Sequence, residues 1–244
     1  MNYKRGYPVA VLIGLEKNEA FLWKIFSKVA KPEDNVGING ERNNPKALYN
    51  FHETIINALR PSLKEGVRSV ILASEPRTNH TQEFINHVRD HHTWLTQGPN
   101  KAVFSKITGS ASTPSQVAIL TRTSEFHKLI AETTAEETEN LLEILEKRIN
   151  TAYKNSAMSF SIEEAENLIL KWQKPNKPKP EYLLLTDEYL KSSRQKSRLH
   201  RLMQIAKNKR VKTRVINADS TAGKRLTQLG GIVCLTKADQ ILWK

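Results

Sequence analysis

The sequence predicts an α/β protein of two domains, and three observations predict it. Apolar runs of strand length alternate with segments in which apolar residues recur at helical spacing. At 244 residues the chain is long enough for two cores of ordinary size. A helical, acid-rich stretch beginning at Phe126 separates two such alternating halves. We therefore expect domains at 1–125 and 126–244.

In chain order, YPVAVLIGL and AFLWKIF are strands joined by the hairpin-like turn EKNE. A polar loop is expected from Lys31 to about Pro45. Ala47, Phe51, Ile55, Ile56 and Leu59 then mark one face of a helix reaching Arg60-Pro61. VRSVILAS is a buried strand, EPRTNHTQEFINHVRDHH a loop and helix with Phe84, Ile85 and Val88 inward, and KAVFSKI a further strand. Thr113, Pro114 and Gln116 stand at the cap, first and third positions of a helix start, a capping-box pattern. From Phe126 to Asn150 the residues Leu129, Leu141, Leu142, Leu145 and Ile149 supply the apolar side of a helix. The second half continues with a helix from Ser161, capped by Ser161-x-x-Glu164, and a strand PKPEYLLLTD after a proline-rich loop. A helix over 191–210, a strand VKTRVIN, a short helix closed by Gly230 and a last strand IVCLTK complete it.

Composition narrows the class. With 39% hydrophobic and 26% charged residues the chain is globular, and no apolar run approaches the roughly 20 residues that cross a bilayer. The opening MNYKRGYPVAVLIGLEKN has basic residues before an apolar stretch, but Pro8, Gly14 and Glu16 interrupt a signal-peptide pattern, so a cytoplasmic protein is expected. The single cysteine, Cys234, excludes an internal disulfide and a thiolate metal cluster, and its apolar run GGIVCL predicts a packed side chain.

Of the formal net charge of +13, the segment Lys191–Arg214 carries +10, with ten Lys or Arg and no Asp or Glu. A local cationic patch of this density attracts polyanions by counterion release and long-range steering.

The closing run RLTQLGGIVCL resembles the end of the C-terminal domain of Pelota and of archaeal and eukaryotic class-I termination factors, where Leu-Gly-Gly-Ile turns from the last helix into the last strand. SFSIEEAENLILKW, PEYLLLTDEYL and VKTRVIN resemble earlier parts of that domain in the same order. GVRSVILASEPRTNHTQEFINHV and TGSASTPSQVAIL resemble the family's middle domain. The resemblance implies a ribonuclease-H-like middle-type domain followed by an α/β/α domain related to kink-turn-binding ribosomal proteins. It also implies a ribosome-binding factor for stalled-ribosome rescue, hibernation or quality control, with ribosomal RNA or tRNA and a translational GTPase as partners. Two departures qualify it. The family's N-terminal, codon-reading domain is expected to be missing, since only six residues precede Tyr7. The Gly-Gly-Gln of termination factors is also missing: the corresponding loop reads NVGINGERNNP, which sides with Pelota and with a non-catalytic role. Peptidyl-tRNA hydrolysis, RNA cleavage and ribosome-independent binding of structured RNA are the alternatives.

The candidate RNA-binding residues are Arg194, Lys196, Arg198, Arg201, Lys207, Lys209, Arg210 and Lys212 on and after the basic helix. Arg42, Asn43, Asn44 and Lys46 in the loop before the first helix join them. Few aromatics lie near the basic helix, so contact with phosphates rather than base stacking is expected. Gly109, Ser110 and Thr113 form a candidate phosphate-binding turn, against which stands a purely structural turn. Three apparent motifs are set aside. ADSTAGKRL lacks the first glycine and the final Ser or Thr of a phosphate loop. His87 and His91, beside His80 and His92, have a spacing compatible with metal but no cysteine or nearby paired acid, so neither metal nor cofactor is expected. Ser115-Gln116 resembles a release-loop ending, but Pro114 precedes it.

Overall fold

The first apolar run becomes strand β1 (Pro8–Leu15), whose alternate side chains face opposite sides of a sheet. The computed structural model describes residues 6–98, 100–150, 158–172 and 178–237. It divides into two compact units, one comprising residues up to 63 together with 67–137, the other 64–66 and 138 onward. The proline-rich stretch 173–177 lies outside the described residues.

In the first unit β1 pairs antiparallel with β2 (Glu19–Phe26), which pairs antiparallel with β3 (Ala30–Gly37). Helix α1 (Pro45–Glu65) leads to β4 (Ser69–Ser74), parallel to β1. Helices α2 (His80–His91) and α3 (Thr93–Thr96) precede β5 (Val103–Thr108), parallel to β4. Helices α4 (Pro114–Leu120) and α5 (Ser124–Asn150) follow. The strand order β3-β2-β1-β4-β5 is the ribonuclease-H-like arrangement expected. Val11, Ile13 and Leu15 pack with Phe51, Ile55, Leu59, Phe84 and Val88 on one face of the sheet. On the other, Ala10, Leu12, Trp23 and Ile71 meet Val117, Leu120 and Phe126.

Two expectations in this half are corrected. Residues 30–37 are the edge strand β3 rather than loop: only Val36 is buried, so the run reads as polar, and Pro32 is accommodated beside a register shift at Leu22/Trp23. Helix α1 does not stop at Pro61 but carries it inside. A mid-helix proline costs about 3 kcal/mol. Burial of Leu63 in the core, and of Ser62 bonded to both carboxylate oxygens of Glu33 at 3.0 Å, favours continuing the helix.

In the second unit β6 (Met158–Ser159), α6 (Ile162–Lys171), β7 (Pro180–Thr186), α7 (Asp187–Ser192), α8 (Lys196–Asn208), β8 (Lys212–Ile216), α9 (Thr221–Gln228) and β9 (Ile232–Thr236) form a four-stranded sheet of order β6-β9-β7-β8 with its helices. Only β7 and β8 are parallel. Leu141 and Leu145 of α5 pack here with Tyr182, Leu184, Leu226, Val233 and Leu235, while Phe126 of the same helix belongs to the first unit's core. Cys234 is buried, and burial pushes its thiol up to about 12. The Gly-Gly turn from α9 to β9 has φ of 101° and 80°. A Cβ on Gly231 would lie 2.9 Å from the Tyr189 ring. Both positions therefore require glycine. Strand β6, two residues long, had no counterpart in the sequence reading. Among the described residues no helix is long and apolar enough to cross a membrane.

Candidate nucleic-acid interface

The basic segment is not one helix over 191–210. It is α7, a break at Ser193–Gln195, and α8. Ser193 leaves helical geometry (φ −58°, ψ 132°) and its Oγ accepts from the Gln195 N–H at 3.1 Å, so the chain restarts at Lys196. Leu199, Leu202, Met203 and Ala206 are buried. At 100° per residue Arg201 then points away from the core, about 150° from its mean direction, with Lys196 and Lys207 on one flank and Arg198 on the other.

Acids outside the segment pair with four of its ten cations, three of them from distant parts of the sequence. Arg198 donates to both oxygens of Glu166 at 2.9 and 2.7 Å, with Glu163 at 3.7 Å. That hydrogen bond holds the Glu166 carboxyl below its ordinary value, burial opposes it, and the charges of Arg198 and Arg201 add to it. Lys207 pairs with Glu65 at 3.0 Å, and Lys209 Nζ donates to the Leu170 carbonyl at 3.2 Å. Lys212 reaches Glu181 at 3.3 Å and the Tyr182 hydroxyl at 3.0 Å, while Lys191 holds Asp187 at 2.5 Å. Arg214 is buried. Arg194, Lys196, Arg201 and Arg210 are exposed and, among the described residues, form no salt bridge. Arg210 follows the helix with φ 60°. Its N–H donates to Lys207 O and the Val211 N–H to Ala206 O, both at 2.9 Å, the pair of bonds that closes a Schellman motif.

The other candidates are placed differently. Arg42 is folded inward: its guanidinium donates to the carbonyls of Glu16 (3.4 Å) and Lys17 (2.8 Å) and to Glu83 (2.5 Å). Asn44 caps α1, its Oδ1 accepting from the N–H groups of Lys46 (2.9 Å) and Ala47 (3.3 Å). Only Asn43 and the Lys46 side chain stand exposed without such a role.

The turn at Gly109 (φ 149°), Ser110 and Thr113 is internally satisfied. Gly109 N–H donates to Ser74 O at 2.9 Å, and Ser110 Oγ donates to the Glu16 carboxylate at 2.6 Å, which places a negative charge beside the proposed anion site. Thr113 and Gln116 form a full capping box, the Gln116 side chain accepting from Thr113 N–H at 3.0 Å and Ser112 Oγ at 2.7 Å. A feature the sequence reading missed lies on α1 and α2. Glu53, 34 and 39 residues from its partners, brings its Oε1 to 3.0 Å from His87 Nε2 and 2.6 Å from His92 Nε2. That supplies the acid that the histidine cluster lacked.

No protein-family model matches the sequence, and no curated protein matches it. Among solved structures, a chain of ribosome-bound archaeal Pelota and ABCE1 is similar over 93% of this chain and 61% of its own length, at 15% identity and a TM-score of 0.52. Saccharomyces cerevisiae Dom34, a translation termination-like factor involved in RNA quality control pathways and interacting with Hbs1, matches over 94% of this chain and 63% of its own, at 16% identity and a TM-score of 0.47. The chain thus spans a little over three-fifths of the length of these structures.

Proposed function

The fold is Pelota-like, and from it we propose that the chain is a ribosome-associated translation factor that binds near the A site in rescue, hibernation or quality control. On this reading it acts without catalysing peptide release. The observation that carries the proposal is the set of exposed cations Arg194, Lys196, Arg201 and Arg210 around α8, which form no salt bridge among the described residues, in such a fold. Each contributes a full charge to a phosphate-rich surface without first breaking an internal salt bridge. Arg198, Lys207, Lys209 and Lys212 hold the scaffold of the second unit and set the local potential. Arg42 keeps the loop after β3 in place, with Asn43 and Lys46 as its available contacts.

A hydrolytic role finds less support. A glutamine that positions water needs a free amide, whereas the Gln116 oxygen is occupied by the Ser112 and Thr113 donors. A translational GTPase is the second partner we propose.

Sedimentation of a lysate through a sucrose gradient tests the reading. Co-migration with ribosomal particles at low salt, lost as salt rises, is the expected result. A protein confined to the free fractions at low salt and under translational stress would refute it.

A further inference from the structure

Four of the seven histidines gather where α1 faces α2. The His87 ring centroid lies 5.0 Å from that of His52, 4.9 Å from His91 and 5.6 Å from His92. Imidazoles seldom crowd together merely to pack, because each protonation charges one against the others. Here a single carboxylate oxygen, Glu53 Oε1, receives the Nε2 atoms of both His87 and His92, and the three donor atoms lie within 4.8 Å of one another. The two imidazoles are buried, with side chains 7% and 10% exposed, and the carboxylate stands at the mouth at 27%.

We propose that Glu53, His87 and His92 form a binding site for a divalent transition metal of the zinc class, with the fourth position open to water. The donor set, two imidazole nitrogens and one carboxylate oxygen, is one that zinc accepts in open sites. Bonds of about 2.0–2.1 Å to three tetrahedrally placed donors require separations of about 3.4 Å. The Glu53 oxygen therefore needs to withdraw by less than about 1 Å from its hydrogen-bonded position, and the two imidazole nitrogens, no more than 4.8 Å apart, to settle to the same separation. A dication replacing the two N–H contacts would cross-link α1 to the C-terminal end of α2, through Glu53 and His87 on the helices and His92 at the cap of α2. A buried, unpartnered nitrogen adjoins the cluster as well: His52 Nε2 has no hydrogen bond.

The second contact of His92 supplies a reporter. Its Nδ1 accepts from the Trp94 indole N–H at 3.3 Å, which fixes the metal-free tautomer with the proton on Nε2. When a metal takes Nε2, that proton passes through solvent to Nδ1. The indole then loses its acceptor, and Trp94, 42% exposed, is free to turn aside. Metal binding should therefore change Trp94 fluorescence although the tryptophan is not a ligand.

The site is independent of the ribosomal proposal, and its test uses the full chain freed of any affinity tag and of metal. Calorimetric titration with Zn²⁺ should show one equivalent bound. Co²⁺ should give visible ligand-field bands together with a fluorescence change that Trp94→Phe abolishes. At 100-fold excess over Kd the melting temperature should rise by about 5–10 °C. Glu53→Gln and His87→Asn should each weaken binding at least about tenfold. His127→Ala, outside the cluster, should leave it unchanged. Absence of a stoichiometric site in the unaltered chain would overturn the proposal whatever the variants do. Binding that survives both Glu53→Gln and His87→Asn in folded protein would overturn it equally.

Discussion

Replacing Arg210 by glycine should stabilise the protein while weakening its proposed contact with RNA. The residue closes α8 in the left-handed region, φ 60°, because the Schellman bonds from Arg210 to Lys207 and from Val211 to Ala206 require that turn. An L side chain there costs about 1–2 kcal/mol. Glycine removes this cost but gives the unfolded chain more freedom, which takes back about 0.5–1 kcal/mol. The net expectation is a gain of about 0.5–1 kcal/mol for Arg210→Gly. Arg210→Ala keeps the strained backbone and should stay within about 0.5 kcal/mol of the parent. Urea denaturation at fixed pH measures both, and the midpoint should move without a change in m. Since both variants delete the same charge, their RNA affinity should fall equally. A glycine variant no more stable than the alanine variant would refute the argument from backbone strain.

Two further outcomes follow from the local geometry. Thr113→Ala removes one side of the capping box of α4 and should cost about 1 kcal/mol in equilibrium denaturation while leaving RNA binding unchanged. His52 is held neutral: burial first, then the charges of His87 and Arg42, lower it from 6.5 to about 4 against the opposing pull of Glu83 and Glu53. Above pH 6.5 neither state is protonated at His52. Between there and about pH 4 the unfolded chain takes up a proton that the folded chain refuses, so stability falls as pH falls, and the slope from this group ends below about 4. His52→Phe, which also removes the orphaned Nε2 beside Phe51 and Phe84, should shallow that fall and leave neutral-pH stability equal or higher in acid-denaturation curves.

What could be read from the sequence was whatever a single segment encodes. Strands β1, β4 and β7 declare themselves as apolar runs, and the cap of α4 as Thr-Pro-x-Gln, because a buried strand or a helix start needs those residues in that order. Strand β3 was hidden because an edge strand with one buried side chain is as polar as a loop. The ten cations of 191–214 were visible as a charge run. Their partners were not: Glu65, Glu166 and Glu181 lie 31 to 142 residues away from the cations they neutralise. Only the fold separates Arg194, Lys196, Arg201 and Arg210 from the cations that hold structure. It likewise turns Arg42 inward and carries Glu53 to the histidines.

The central claim, that this exposed set meets ribosomal RNA, is tested most directly by the salt dependence of binding to purified ribosomes. The measurement compares the parent chain with the folded variant carrying Arg194→Ala, Lys196→Ala, Arg201→Ala and Arg210→Ala. If each side chain neutralises one phosphate, the log–log slope should shallow by about 0.7–0.9 per residue, close to 3 in all, with affinity at low salt down at least about tenfold. A parent chain that binds with the same slope and affinity as the variant would contradict the account.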